Sequence, residues 1–134
     1  MNHRALWTIL AAAASLGCAN TASAQPHHDS AGGNNNCFRL SMLSNTRPDG
    51  DRRIYARVGV NDFYRIDLAS RCTSLPYEGN HLVLTPTPGS DLICRPIDLD
   101  LKVSEGGVSE PCFIKSITRL TPAEAAAIPK KAKP

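Results

Sequence analysis

The sequence predicts a mostly β protein: a small antiparallel sheet or barrel of about six or seven short strands, with a short C-terminal helix and two disulfides. Three features lead to that class. Apolar and polar residues alternate with a period of two across 53–58, 63–68 and 97–103. Gly, Pro, Asn and Asp cluster between these runs, where the backbone must reverse. Four cysteines remain once an N-terminal leader is set aside, which suits a small exported domain with a thin core.

The leader occupies residues 1–24. Arg4 supplies a positive start, residues 5–16 are apolar apart from Thr8 and Ser15, and Ala22-Ser23-Ala24 offers the small residues of a cleavage site. That apolar core is too short to cross a bilayer, so the expectation is export to the periplasm or beyond, with no transmembrane segment. A second reading takes Ser15-Leu16-Gly17-Cys18 as an imperfect lipoprotein box, its Leu one place late. Lipidation of Cys18 would then anchor the chain to a membrane surface. Residues 25–36 read as a polar, flexible linker in which His27 and His28 are solvated rather than metal-ligating.

The single domain is expected over 37–129. Strands begin at Phe38. Ile54, Ala56 and Val58 alternate with Arg53, Tyr55 and Arg57, and Tyr64, Ile66 and Leu68 alternate with Phe63, Arg65 and Asp67. Between the two runs, 59–62 (GVND) is turn-forming, so the pair is a hairpin. A loop over 60–62 would set Val58 opposite Tyr64, Ala56 opposite Ile66 and Arg57 opposite Arg65. Residues 81–85 (HLVLT) form a further strand, stopped by Pro86 and Pro88; 91–94 (DLIC) restarts it, and 97–103 follows with one wet face. Residues 104–111 read as a Gly-Gly loop and 112–117 as the last strand. Thr121, Pro122 and Glu124 make a capping box for a short helix that Pro129 ends. Lys130, Lys131 and Lys133 make 130–134 a basic tail.

Cys37, Cys72, Cys94 and Cys112 allow three pairings; the one expected is Cys37–Cys72 with Cys94–Cys112, each closing one sheet segment on itself. No C-x-x-C spacing exists, which disfavours both a zinc site and a thioredoxin-like redox role. The formal charge of +3 comes from the tail, because residues 37–129 hold eleven basic and eleven acidic side chains. A neutral domain lacks the basic footprint of a nucleic-acid binder.

The frame of Cys37-Phe-Arg39, Arg53-Ile-Tyr-Ala-Arg-Val-Gly59, Tyr64-Arg-Ile-Asp-Leu68, Cys72, Ser90-Asp-Leu-Ile-Cys94, Asp98-Leu-Asp-Leu-Lys-Val103, Cys112 and Leu120-Thr-Pro-Ala-Glu124 resembles a family of small exported bacterial proteins known as domain of unknown function 6491. The resemblance runs from about Cys37 to Pro129. It implies a secreted single domain with this cysteine frame, and it carries no activity with it.

Catalysis has little to work with. His81 is the domain's only histidine and so its one neutral-pH base; no G-x-S-x-G is present, and every domain cysteine is better used in a bridge. The expectation is a non-catalytic domain without metal or cofactor. An alternative is a small hydrolytic or metal-dependent enzyme using His81 with Asp98 and Asp100, which would share one strand face. The hairpin face offers a different chemistry. Arg57 and Arg65 placed across from one another repel unless Asp67, diagonal to Arg57, balances them or an anion bridges them. With Arg53, Tyr55 and Phe63 beside them, these two arginines form a candidate site for an anionic envelope component or a protein partner.

Overall fold

The computed structural model describes residues 36–134. The expected leader over 1–24, Cys18, and His27 and His28 of the expected linker lie outside the described residues. Among the described residues there are nine strands: β1 (Phe38–Arg39), β2 (Leu43–Pro48), β3 (Arg53–Val58), β4 (Asp62–Leu68), β5 (His81–Pro86), β6 (Leu92–Ile93), β7 (Leu99–Glu105), β8 (Val108–Pro111) and β9 (Ile114–Arg119). One helix, α1 (Pro122–Ala126), follows. All strand pairs are antiparallel. They make a four-stranded sheet in the order β2-β3-β4-β9, a three-stranded sheet in the order β5-β7-β8, and a β1-β6 pair; no sheet closes into a barrel.

The alternation seen in the sequence decides which faces meet. Ile54, Ala56 and Val58 of β3, Tyr64, Ile66 and Leu68 of β4, and Ile117 of β9 share one buried cluster with Leu99, Leu101 and Val103 of β7. Phe38 and Ile93, from the β1-β6 pair, join that cluster, and the Phe38 and Tyr64 rings lie 4.8 Å apart, tilted by 50°. Tyr64 turns its hydroxyl out of the core to donate to the Cys37 carbonyl at 3.1 Å. Removal from water pushes its pKa up. No described helix is long and apolar enough to cross a membrane.

Four expectations need correction. First, the β3–β4 register pairs Val58 with Asp62, Ala56 with Tyr64, and Ile54 with Ile66. The loop is therefore Gly59-Val60-Asn61, and Gly59 takes the positive φ of 60° that starts the turn. Slipping by two residues preserves the faces, so the hydrophobic pattern could not distinguish the two registers. Second, 104–111 is not a loop: Gly106 and Gly107, with φ of 54° and 89°, make a tight turn between Glu105 and its partner Val108, and β8 returns along β7. Third, Asp98 belongs to a 3-10 turn over Pro96–Asp98, so it does not share a strand with Asp100.

The disulfides are the fourth. They join Cys37 to Cys94 and Cys72 to Cys112, not Cys37 to Cys72 and Cys94 to Cys112. Strand pairing explains the first bridge, since Phe38 sits opposite Ile93 and the next position outward in that register is Cys37 opposite Cys94. Cys72 follows β4, and Cys112 ends the β8 hairpin, with its N–H donating to the Leu101 carbonyl at 2.9 Å. Two bridges of this kind fit an oxidising compartment.

The C-terminal residues also differ from a free tail. The Thr121 capping box forms as the sequence predicts, with the Glu124 N–H donating to the Thr121 hydroxyl and the Thr121 N–H donating to the Glu124 carboxylate at 2.8 Å. Beyond α1, a 3-10 turn over Lys130–Ala132 carries Ala132 to complete burial. Ala125, Ile128 and Ala132 pack with Tyr55 in a second apolar cluster, flanked by Phe63 and Leu120. This cluster covers the outer face of the β3–β4 hairpin. A helix of five residues is too short to hold without such contacts.

Candidate functional site

The register of the four-stranded sheet lays out its outer face in rows. Asn45, Arg57 and Phe63 form one row; Arg47, Tyr55, Arg65 and Thr118 form the next; Arg53, Asp67 and Ser116 form the third. Arg57 therefore faces Phe63 rather than Arg65, and Arg65 faces Tyr55. The like-charge pair expected from the sequence does not exist.

Asp67 is the balancing carboxylate, through a different geometry from the one expected. Its two oxygens accept from Arg53 Nε and Arg65 Nε, each at 2.8 Å. Burial alone would raise its pKa, but the hydrogen bonds from Arg53 and Arg65 outweigh that and hold it below the usual carboxylate range. Of the five residues the sequence grouped, Arg53 and Arg65 are thus engaged, and Tyr55 is buried under the C-terminal segment. Phe63 is half-buried, with Lys133 Nζ 6.0 Å from its ring centroid. Of the three arginines in that group, Arg57 alone has no carboxylate partner among the described residues; its Nε donates to the Ser44 hydroxyl at 3.3 Å.

Charge pairing extends beyond the hairpin. Among the described residues there are seven ion pairs: Arg39–Asp91, Arg71–Asp51, Arg95–Asp98 and Arg119–Asp62 accompany the two Asp67 pairs and Lys102–Asp100. The cations with no carboxylate in reach among the described residues are Arg47 on β2, Arg52 in the β2–β3 turn, Arg57 on β3, Lys115 on β9, and Lys130, Lys131 and Lys133. All lie on the four-stranded sheet or on the segment packed against it. None lies on the three-stranded sheet, where Glu105 and Glu110 have no basic partner; on the four-stranded sheet and its cover the carboxylates without one are Asp49 and Glu124, fewer than the seven cations there. A domain of balanced composition is therefore basic on one side. Arg52, Arg53 and Lys115 also line a shallow depression of about 470 Å³ together with Asp49 and Asp67.

A second cleft of about 470 Å³ opens between the outer strands β2 and β5 and is lined by Arg47, Tyr77, Glu78 and His81, among others. His81 is exposed there and sits opposite Ser104 of β7, whereas Asp100 is opposite Thr85, four positions along the same ladder. Asp98 turns back on its own loop, accepting from the Cys94 and Arg95 N–H groups at 3.1 and 2.9 Å. The backbone bond from Cys94, then the Arg95 side chain, pull its pKa down. The structure does not bring His81, Asp98 and Asp100 together. Among the described residues, the one cluster with metal-ligand spacing is Cys72, Glu110 and Cys112. Its sulfurs are bridged to each other, and the Glu110 carboxylate accepts from the Ser74 and Thr73 N–H groups at 2.8 and 3.1 Å. It anchors a loop and offers no thiolate to a metal.

With this geometry in place, comparison with protein families is decisive. A model described as a family of unknown function, DUF6491, matches residues 1–134. The chain belongs to the DUF6491 family. No curated protein and no solved structure matches it. For this DUF6491 member the site must accordingly be argued from its own residues. Sequence reasoning missed Arg47, Arg52 and Lys115, which are scattered over a stretch of almost seventy positions and meet only through sheet register; the surplus of cations over carboxylates on 47–65 could have pointed to Arg47 and Arg52, and no local signal marks Lys115.

Proposed function

We propose that this DUF6491 member is an exported, non-catalytic binding domain that recognises an anionic component of the cell envelope through its basic side. The observation that carries this reading is the segregation of unpaired cations: every such side chain among the described residues belongs to the four-stranded sheet or its C-terminal cover. Paired surface charges are largely spent on each other, whereas unpaired ones project a field that attracts anionic partners. Arg47 and Arg57 present guanidinium forks suited to phosphate or carboxylate oxygens. The two disulfides and the leader read from residues 1–24 support export. The scattering of His81, Asp98 and Asp100 supports a role without catalysis.

The test is cosedimentation with phosphatidylglycerol vesicles, using phosphatidylcholine vesicles as the control. Binding is expected at low ionic strength only to the anionic vesicles, fading as salt shortens the screening length. Each cation near an anionic surface contributes about 1 kcal/mol, so Arg47→Ala with Arg57→Ala should weaken binding by about 30-fold. Equal binding to both vesicle types, or an unaffected double variant, would sink the proposal.

A further inference from the structure

The four-stranded and three-stranded sheets have two outer strands each, and an outer strand presents unpaired main-chain groups that invite another strand. Three of the four are interrupted by a proline, a side-chain cap or a packed turn. On β2, the Asp49 N–H donates to the Arg53 carbonyl at 2.8 Å, so by antiparallel alternation Thr46 and Pro48 point their main-chain groups outward. The Thr46 N–H is already taken by Asn45 Oδ1 at 2.9 Å, and Pro48 has no N–H. On β9, the Leu120 N–H donates to the Phe63 carbonyl, which turns Arg119 outward; its N–H donates to Asn36 Oδ1 at 3.1 Å, and the Pro96–Asp98 turn packs against the strand. On β8, only four residues long, the Cys112–Leu101 bond turns Ser109 and Pro111 outward, and Pro111 has no N–H.

β5 is different. The Thr87 N–H donates to the Asp98 carbonyl at 3.0 Å in the same register as the β5–β7 ladder, so His81, Val83 and Thr85 bond inward to β7. Leu82 and Leu84 then point their N–H and C=O groups outward, and these find no partner among the described residues. The strand carries no charged residue, and Val83 is 42 % exposed on its solvent face. Charge, proline and side-chain capping are the usual protections of an outer strand; here only the terminal Pro86 is present, while β2 and the loop 75–80 face the start of the strand across the open cleft at His81 and Leu82.

We infer that β5 is a self-association edge at which a second copy of this chain pairs antiparallel, β5 to β5, about a two-fold axis at Val83. The register is self-complementary. With Val83 facing Val83 of the second copy, Leu82 of each chain falls opposite Leu84 of the other, and these are the residues whose main-chain groups point outward. The N–H and C=O of both are satisfied in the two pairs that result. His81 falls opposite Thr85, so no like charges oppose each other. Pro86, without an N–H, falls opposite position 80, where β5 has not yet begun, so the pairing ends where donors run out. The absence of any charge on either copy's strand favours a second copy over a charged peptide as the occupant. One short strand pair is a small interface, in the class below about 1,200 Å² that serves weak and transient contacts. This inference is independent of what the basic side binds.

The experiment is sedimentation equilibrium of the purified full chain over a dilution series reaching about 1 mM, a concentration that resolves even weak dimers. The weight-average mass is expected to climb from the monomer toward twice that value. Val83→Lys, which sets two ammonium groups on the axis, is expected to stay monomeric with an unchanged far-ultraviolet dichroism spectrum. Val83→Cys is expected to give a covalent dimer on mild oxidation, because the two Val83 positions form a close non-hydrogen-bonded pair. A monomer throughout the series, self-association undiminished in Val83→Lys, or no covalent dimer from Val83→Cys would each overturn the pairing.

Discussion

Removing the Cys72–Cys112 bridge is expected to cost this domain a large share of its stability. The bridge closes a sequence separation of 40 and the Cys37–Cys94 bridge one of 57, and the two loops interleave, since Cys72 lies inside the first and Cys112 outside it. On the chain-entropy account, loops of these lengths stabilise by about 4 kcal/mol each. A typical domain has only about 5–15 kcal/mol in total. Cys72→Ala with Cys112→Ala should therefore lower the midpoint of a thermal melt by about 15–30 °C. Replacing all four cysteines, or melting in strong reductant, should leave no cooperative transition. The assay is calorimetry beside a peptide map of the unreduced protein. A melt shifted by only a degree or two, or a map showing Cys37 joined to Cys72, would refute the reasoning.

Asp67→Asn removes the carboxylate shared by Arg53 and Arg65 and should cost about 1 kcal/mol, a modest figure because both guanidiniums are partly solvated; a denaturant melt checks it. The native carboxylate titrates below its ordinary range, so its contribution is complete above the unfolded pKa of about 3.9 and is lost as pH falls through the lower folded value. Acid titration of stability should thus be flatter in Asp67→Asn than in the native chain below about pH 4. Ile128→Ala, at a side chain 5 % exposed, should cost about 2 kcal/mol and loosen the C-terminal segment from Tyr55, read as faster proteolysis beyond residue 121 while the sheets stay folded.

The fold class was legible because its signals are local. Alternation over 53–58 and 63–68, glycines at 59, 106 and 107, and the Thr121–Glu124 box each act within a few residues. What sequence left hidden is non-local. The pairing of Phe38 with Ile93, which sets Cys37 against Cys94, joins segments 55 positions apart through two-residue strands too short for any periodicity to reveal. The hairpin slip of two residues leaves every face unchanged, so only the turn geometry separates Arg57 opposite Phe63 from Arg57 opposite Arg65. Lys130 to Lys133 read as a tail because their composition is polar; the buried groups there are Ile128 and Ala132, and a lone alanine at 0 % exposure leaves little mark in a sequence. Balanced charge over 37–129 excluded a uniformly basic domain but could not show how the pairs are distributed. Asp67 absorbs two arginines, Asp91 and Asp98 absorb others far from the hairpin, and the cations left over collect on one sheet.

The basic side is the centre of this account, and residue-resolved nuclear magnetic resonance tests it most directly. Amide shifts of the ¹⁵N-labelled chain would be followed while phosphatidylglycerol bicelles are added, then reversed with salt. The account predicts saturable, salt-sensitive changes confined to Arg47, Arg52, Arg57, Lys115 and the segment from Lys130 to Lys133. Changes centred instead on β7 and β8, or on the cleft at His81, would contradict it.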